Sequence, residues 1–125
     1  MPDRKILAGV DLVPVSKIRA SHKRFQDKFL RKVLTVGEIS YCRKKKNLYQ
    51  SIAARFAAKE AFKKAFSGVS GMELGWREVE IIAGRNRVPG LKLSGRIRKK
   101  LGRNKTAISL SHTQDYAFAV VLIYR

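Results

Sequence analysis

Acidic residues are scarce in this 125-residue chain: 9 Asp+Glu stand against 28 Lys+Arg, for a formal net charge of +19. Cysteine is scarcer still. The single one, Cys42, excludes an intrachain disulfide and any zinc site built from a cysteine cluster. Only two histidines accompany it, so the nitrogen and sulfur ligands that zinc prefers are in short supply. No apolar run approaches the ~20 residues that a membrane-spanning helix needs. The opening Met1-Pro2-Asp3-Arg4-Lys5 lacks the pattern of a secretory signal, and a reducing cytoplasm is the expected location. Repeats, low-complexity tracts and linkers are absent too. A chain of this length holds one core, so residues 1–125 are expected to form a single domain.

Where acids are rare, the placement of each one carries information. Asp11 interrupts the apolar run Ile6-Leu7-Ala8-Gly9-Val10-Asp11-Leu12-Val13. The run is apolar at both alternating sets of positions, which predicts a strand buried on both faces. A carboxylate left unpaired there costs several kcal/mol or gives up its charge. Glu60 is the second acid, inside a helix whose other charges are all basic.

The remaining elements follow from spacing and punctuation. Pro14 suits the first turn of a helix, and Lys17 to Phe29 reads as a basic helix with Ile18, Phe25 and Phe29 as apolar anchors. Thr35-Val36-Gly37-Glu38 has capping-box spacing and opens a short helix carrying Ile39, Tyr41 and Cys42. Arg43 to Lys46 reads as a solvated connection, with Asn47 as the next cap. Tyr49 to Phe66 is Ala-rich, free of Gly and Pro, and predicts a long helix. Strands follow at Trp76–Ala83 and Val88–Leu93, then a small basic helix over Ser94–Leu101. Thr106–Ser111 and Tyr116–Tyr124 form a hairpin around His112-Thr113-Gln114-Asp115. The order predicts an α+β fold, a long central helix packed on a small, mainly antiparallel sheet.

Residues four apart share a helix face. Ser51, Arg55, Lys59 and Lys63 form a polar row expected to face solvent, and Ala54, Ala58, Phe62 and Phe66 an apolar one. Ala53, Phe56, Glu60 and Lys64 begin apolar and end in an acid and a base. Glu60 and Lys64 therefore sit at the edge of a buried face. An ordinary helix ion pair, worth about 0.3–0.5 kcal/mol, is the plainer explanation of those two. Pairing with one of the many arginines is the plainer explanation of Asp11. The alternative joins them: Asp11 and Glu60 as oxygen ligands of one cation. Magnesium fits better than zinc or calcium, being held by one or two carboxylates together with substrate phosphates.

These residues also carry a family resemblance. Gly9-Val10-Asp11, Leu34-Thr35 with Glu38, Arg55-Phe56-Ala57-Ala58-Lys59-Glu60-Ala61 with Lys64-Ala65, and Ser109-Leu110-Ser111-His112 before Ala117 occur in one order. Over essentially its whole length the chain resembles the small bacterial holo-acyl-carrier-protein synthases, which are phosphopantetheinyl transferases. The resemblance implies a phosphopantetheinyl-transferase-like fold and an enzyme serving fatty-acid synthesis. Such an enzyme moves the 4′-phosphopantetheine arm of coenzyme A to a serine of apo acyl carrier protein and releases adenosine 3′,5′-bisphosphate. It implies magnesium on Asp11 and Glu60, Lys64 beside the diphosphate, His112 near the nucleotide and Arg55 near the coenzyme phosphates. Glu60 or a metal-bound water would take the serine proton. Members of this size are usually homotrimers with sites between subunits. The chain departs from the family at Lys17-Ile18, where an Arg-Ile pair is common, at Ser67 before Gly68, and at Arg87-Val88-Pro89 in place of Gly-Lys-Pro.

The charge then has a use. Acyl carrier proteins are acidic, and Lys17, Arg19, Lys23, Arg24 and Lys28 give the first helix a basic surface on which one could dock, with Lys17 and Arg24 as the residues to test. A nucleic-acid-binding protein would also explain +19, with Arg43 to Lys46 and Arg96 to Lys100 tracking phosphates. It leaves Asp11 and Glu60 unexplained, and no zinc-finger or RNA-binding aromatic signature is present. No nucleic-acid partner is therefore expected. His112 also has a plain reading as a hairpin histidine, His22 is expected to be exposed, and Trp76, Phe62 and Phe66 are expected in the core.

Overall fold

The computed structural model describes residues 6–125. A three-stranded antiparallel sheet in the order β1-β5-β4 combines Ile6–Pro14 (β1), Lys105–His112 (β4) and Tyr116–Tyr124 (β5). A separate antiparallel hairpin pairs Val79–Ala83 (β2) with Pro89–Leu93 (β3). Among the described residues five α-helices complete the fold: Val15–Phe25 (α1), Asp27–Val33 (α2), Val36–Arg43 (α3), Leu48–Phe66 (α4) and Gly95–Leu101 (α5). The expected α+β fold with a long central helix on a small sheet is the observed one.

α4 lies across the inner face of the sheet. Its alanines let the sheet approach closely: Ala53, Ala57, Ala58 and Ala61 have no exposed surface, nor do Ala117, Ala119 and Val121 of β5. The closest approach is at Gly9. A Cβ there would collide with the carbonyl oxygen of Ala61 and stand 2.8 Å from the Ala65 nitrogen, so only glycine lets β1 rest on the helix. Phe62 and Phe66, stacked with ring centres 5.5 Å apart, are sealed in the core, where each contributes about 1.5–3 kcal/mol of burial.

Several expectations need correction. β1 is buried on one face only. Gly9 and Val13 point inward, whereas Ile6, Val10 and Leu12 are 68%, 45% and 59% exposed. Tyr116 and Phe118 of β5 are exposed as well, with Leu12 directly opposite Phe118. The first helix starts at Val15, directly after Pro14, and breaks at Gln26, whose φ of 52° no continuous helix accepts. Phe25, at that break, is exposed rather than an anchor. Trp76–Glu78 is a 3-10 turn, and the strand starts only at Val79. The capping box at Thr35 forms in full, while Asn47 precedes α4 without making a side-chain cap.

The largest correction concerns the polar row of α4. Ser51, Arg55 and Lys59 are buried, at 8%, 7% and 4% exposure, and only Lys63 meets solvent. α3 and β2 cover this side of the helix, so its charges must find partners within the protein. Those partners build part of the site.

Candidate active site

Asp11 is delivered by the contact at Gly9. The two residues share the inward face of β1, and Asp11 pairs in register with Ala119. Its carboxylate, 17% exposed, accepts a hydrogen bond from Lys64 Nζ at 3.2 Å. The same ammonium donates to the Val10 carbonyl at 2.9 Å. A lysine thus meets the strand acid, not one of the arginines. Because Lys64 is 55% exposed, the pair is worth no more than about 1 kcal/mol and can open for a ligand.

Glu60 stands one turn before Lys64 on α4, beside a small cleft lined by Lys63, Leu74, Gly75 and Trp76. Among the described residues it has no hydrogen-bond or ion-pair partner, so the helix pair with Lys64 is not made. One carboxylate thus meets the exposed ammonium, and a second stands one helical turn away on α4. No group of three or more His, Cys, Asp or Glu side chains able to hold a metal occurs among the described residues. That donor set suits a hard cation that completes its shell with water and phosphate oxygens, and is too poor for zinc or for a protein-built calcium cage.

Arg55 and His112 belong to a second feature, a cavity of about 690 Å³. Tyr41, Lys45, Asn47, Ser51, Arg55, Ile81, Ala83, Arg87 and His112 are among its lining residues. The Arg55 guanidinium lies 4.1 Å from the centre of the Tyr41 ring and donates from Nη1 to the Ser51 carbonyl at 3.3 Å. Its Nε is buried and, among the described residues, without a partner. Orphaned donors on a buried arginine are rare. Burial pushes the Tyr41 phenol up, but hydrogen bonds and charge from Lys45 and Arg55 outweigh it and hold the group below its ordinary value of 10.0. Lys45, Arg55 and Arg87 with no acid among the lining residues make the cavity electropositive. His112, at the end of β4, is exposed, with Nε2 at 3.5 Å from the Asn47 amide.

The structure brings Asp11 and Lys64 together, with Glu60 one turn away, and separately brings Arg55 and His112 together. It does not merge the two groups within one chain. Arg55 and Glu60 are five positions apart on α4, which separates them by about 140° around the axis. Lys17 and Arg24 are exposed on α1; Lys17 Nζ lies 5.4 Å from the centre of the Phe56 ring, one turn from Glu60. His22 is half-buried, not exposed, and bonds the Tyr49 hydroxyl at 2.9 Å. Trp76 is half-buried and stacks on Phe56, with ring centres 4.8 Å apart. Cys42 is sealed, and burial pushes its thiol up to about 11, which removes it as a nucleophile.

Sequence reasoning missed the ion pair between Lys59 and Glu38, made at 2.6 Å with both side chains inside the protein. The capping-box spacing gives Glu38 a local role and says nothing of Lys59. No local signal marks it: Arg55 and Lys63, one turn to either side of Lys59, give its row the pattern of a solvent face.

Comparison with known proteins agrees with this architecture. A family model described as the 4′-phosphopantetheinyl transferase superfamily matches residues 8–121. The holo-[acyl-carrier-protein] synthase of Chloroherpeton thalassium is 40% identical over 116 residues, 92% of this chain and 94% of the relative. That of Chlamydia trachomatis is 40% identical over 114 residues, 91% and 95% of the two chains. The crystal structure of Helicobacter pylori holo-[acyl-carrier-protein] synthase in complex with coenzyme A superposes with a TM-score of 0.83 at 33% identity, covering 94% of this chain and 99% of that one. The chain belongs to the 4′-phosphopantetheinyl transferase superfamily, in its holo-[acyl-carrier-protein] synthase branch. Its activity is accordingly that of an enzyme of this branch.

Proposed function

We propose that this protein transfers 4′-phosphopantetheine from coenzyme A to a serine hydroxyl of an apo acyl carrier protein, with magnesium, releasing adenosine 3′,5′-bisphosphate. The observation that carries this reading is the placement of Asp11. β1 is pressed onto α4 at Gly9, and this presents the carboxylate to Lys64 with Glu60 one turn away.

Asp11 and Glu60 would hold the cation, whose chemistry is Lewis-acid polarisation of the donor diphosphate. The attacking hydroxyl comes from the carrier, so this chain needs no nucleophile of its own; it positions groups and neutralises charge. Lys64, loosely held by Asp11, can turn its ammonium to the diphosphate and offset charge that develops on the phosphate oxygens. Arg55, Lys45 and Arg87 make the second cavity a receptor for the remaining coenzyme phosphate, with His112 at its rim.

The exposed apolar sheet face supports assembly. Ile6, Val10, Leu12, Tyr116 and Phe118 form one outward patch, as a subunit interface requires. A homotrimer would also let the cavity of one subunit meet the Asp11–Glu60 group of its neighbour, which one chain does not do. The basic face of α1 is the docking surface assigned to the acidic carrier, reached through Lys17 and Arg24. Among the described residues no helix is long and apolar enough to cross a membrane.

Incubation with coenzyme A, magnesium and an apo carrier protein, followed by intact mass measurement of the carrier, tests the activity. The carrier should gain the mass of one phosphopantetheine arm. Absence of that product, together with a mobility shift of nucleic acid, would replace this reading with a nucleic-acid-binding one.

A further inference from the structure

Three elements wall the electropositive cavity from different sides: α3 through Tyr41, α4 through Arg55, and β2 through Ile81 and Ala83. One carboxylate joins all three. Glu38 Oε1 accepts from Lys59 Nζ at 2.6 Å and from the Thr35 N–H at 2.9 Å, while Oε2 accepts from the Ile81 N–H at 2.8 Å. Lys59 Nζ donates a further hydrogen bond to the Trp76 carbonyl at 2.8 Å. The Glu38 and Lys59 side chains are 0% and 2% exposed.

Each member of this hub is close to a cavity wall. Glu38 precedes Tyr41 by three positions on α3, Lys59 follows Arg55 by four on α4, and Ile81 is itself in the wall. On the other side, Lys59 and Trp76 line the small cleft at Glu60. We infer that the Glu38–Lys59 pair is a positioning device for the phosphorylated donor. It fixes the separation of α3, α4 and β2, and so the geometry of Arg55, Tyr41 and Ile81, without touching the donor itself. The inference rests on the proposed use of this cavity for the coenzyme.

A purely adhesive role would not call for charge. Apolar side chains of the same volume fill a core at least as favourably as a buried ion pair. What they do not supply is direction. Four short hydrogen bonds from one carboxylate and one ammonium set distances between three separate elements, where apolar groups would slide. Lys59 carries the cost of this arrangement: burial pushes its ammonium below the ordinary value of 10.5, and the Glu38 carboxylate opposes that shift.

The test begins with the wild-type enzyme. Failure to modify any carrier protein would remove the functional reading, whatever the pair does. With activity in hand, Lys59→Met should raise KM for coenzyme A about tenfold or more, leaving carrier KM and kcat at saturation within about threefold. The rise in Tm on adding coenzyme A should shrink in parallel. Glu38→Gln should act in the same direction with a smaller effect, and Lys59→Arg, which keeps the charge, should recover part of the loss. A folded Lys59→Met variant with wild-type coenzyme KM and a lowered Tm would overturn the proposal, leaving the pair as cohesion only. If Lys59→Met does not fold, Glu38→Gln decides, and an unchanged coenzyme KM there overturns it equally.

Discussion

Gly9 decides where Asp11 goes. Any side chain at this position would be driven into the Ala61 carbonyl, so β1 would lift from α4 and carry Asp11 away from Lys64. Gly9→Ala is expected to cost about 1–3 kcal/mol by overpacking, read as a lowered Tm, and to slow transfer even where the protein stays folded. A variant with unchanged Tm and rate would show that the strand can give way. Lys64→Ala tests a different role. Its exposed bond to Asp11 adds little stability, so Tm should stay close to that of wild type, a loss of no more than about 1 kcal/mol, while transfer falls by about a hundredfold. A fall in Tm with the rate intact would make Lys64 structural. The acids themselves were legible in the sequence because they were rare and out of place. Lys59 was not, since a basic residue in a basic chain looks like surface until α3 and β2 are laid over it.

At the level of elements, spacing rules fixed what was local and missed what was tertiary. The capping box at Thr35 and Glu38 could be read from four residues, and it forms as expected. Thr35→Ala should therefore cost about 0.5–2 kcal/mol in a chemical denaturation curve, and an unchanged midpoint would contradict the cap. The break at Gln26 could not be read, because nothing in Arg24-Phe25-Gln26-Asp27 announces a positive φ. A second tie is dictated by charge. Glu78 accepts from Arg96 at 2.6 Å and 2.7 Å, from Ser94 at 2.9 Å and from the Gly75 N–H at 2.8 Å, joining the turn before β2 to α5. The Arg96 hydrogen bonds chiefly, with the Gly75 N–H, lower its carboxyl from 4.5 to about 2. A group whose pKa falls on folding stabilises the protein above its unfolded value and loses that effect as pH drops through the folded one. The Tm advantage of wild type over Glu78→Gln should be full above about pH 5 and fade towards pH 2. A difference that did not vary with pH over that range would contradict the assignment.

For the whole molecule, the sequence foretold the fold class and the long helix but placed β1 in a fully buried setting. One chain leaves the outer face of that strand bare, and this is the face that the proposed trimer would cover. The proposed trimer predicts a sedimentation mass near three times the 14.2 kDa of the chain, and a stable species of 14.2 kDa at micromolar concentration would refute it. The net charge of +19 belongs to the same scale. If α1 receives an acidic carrier, reversing Lys17 and Arg24 to Glu should raise carrier KM about tenfold and leave coenzyme KM nearly unchanged. Added salt should weaken the carrier interaction in the wild type. Equal effects on both substrates would point to a face that only keeps the protein dispersed.

In the proposed reaction Asp11 and Glu60 share one magnesium ion at the donor diphosphate. The most direct test is the rate of phosphopantetheine transfer as magnesium is titrated, in wild type, Asp11→Asn and Glu60→Gln. Wild type should work only with the metal, and each variant should lose about a hundredfold or more at limiting magnesium while remaining folded. Wild-type rates in either variant, or full activity in excess chelator, would contradict the account.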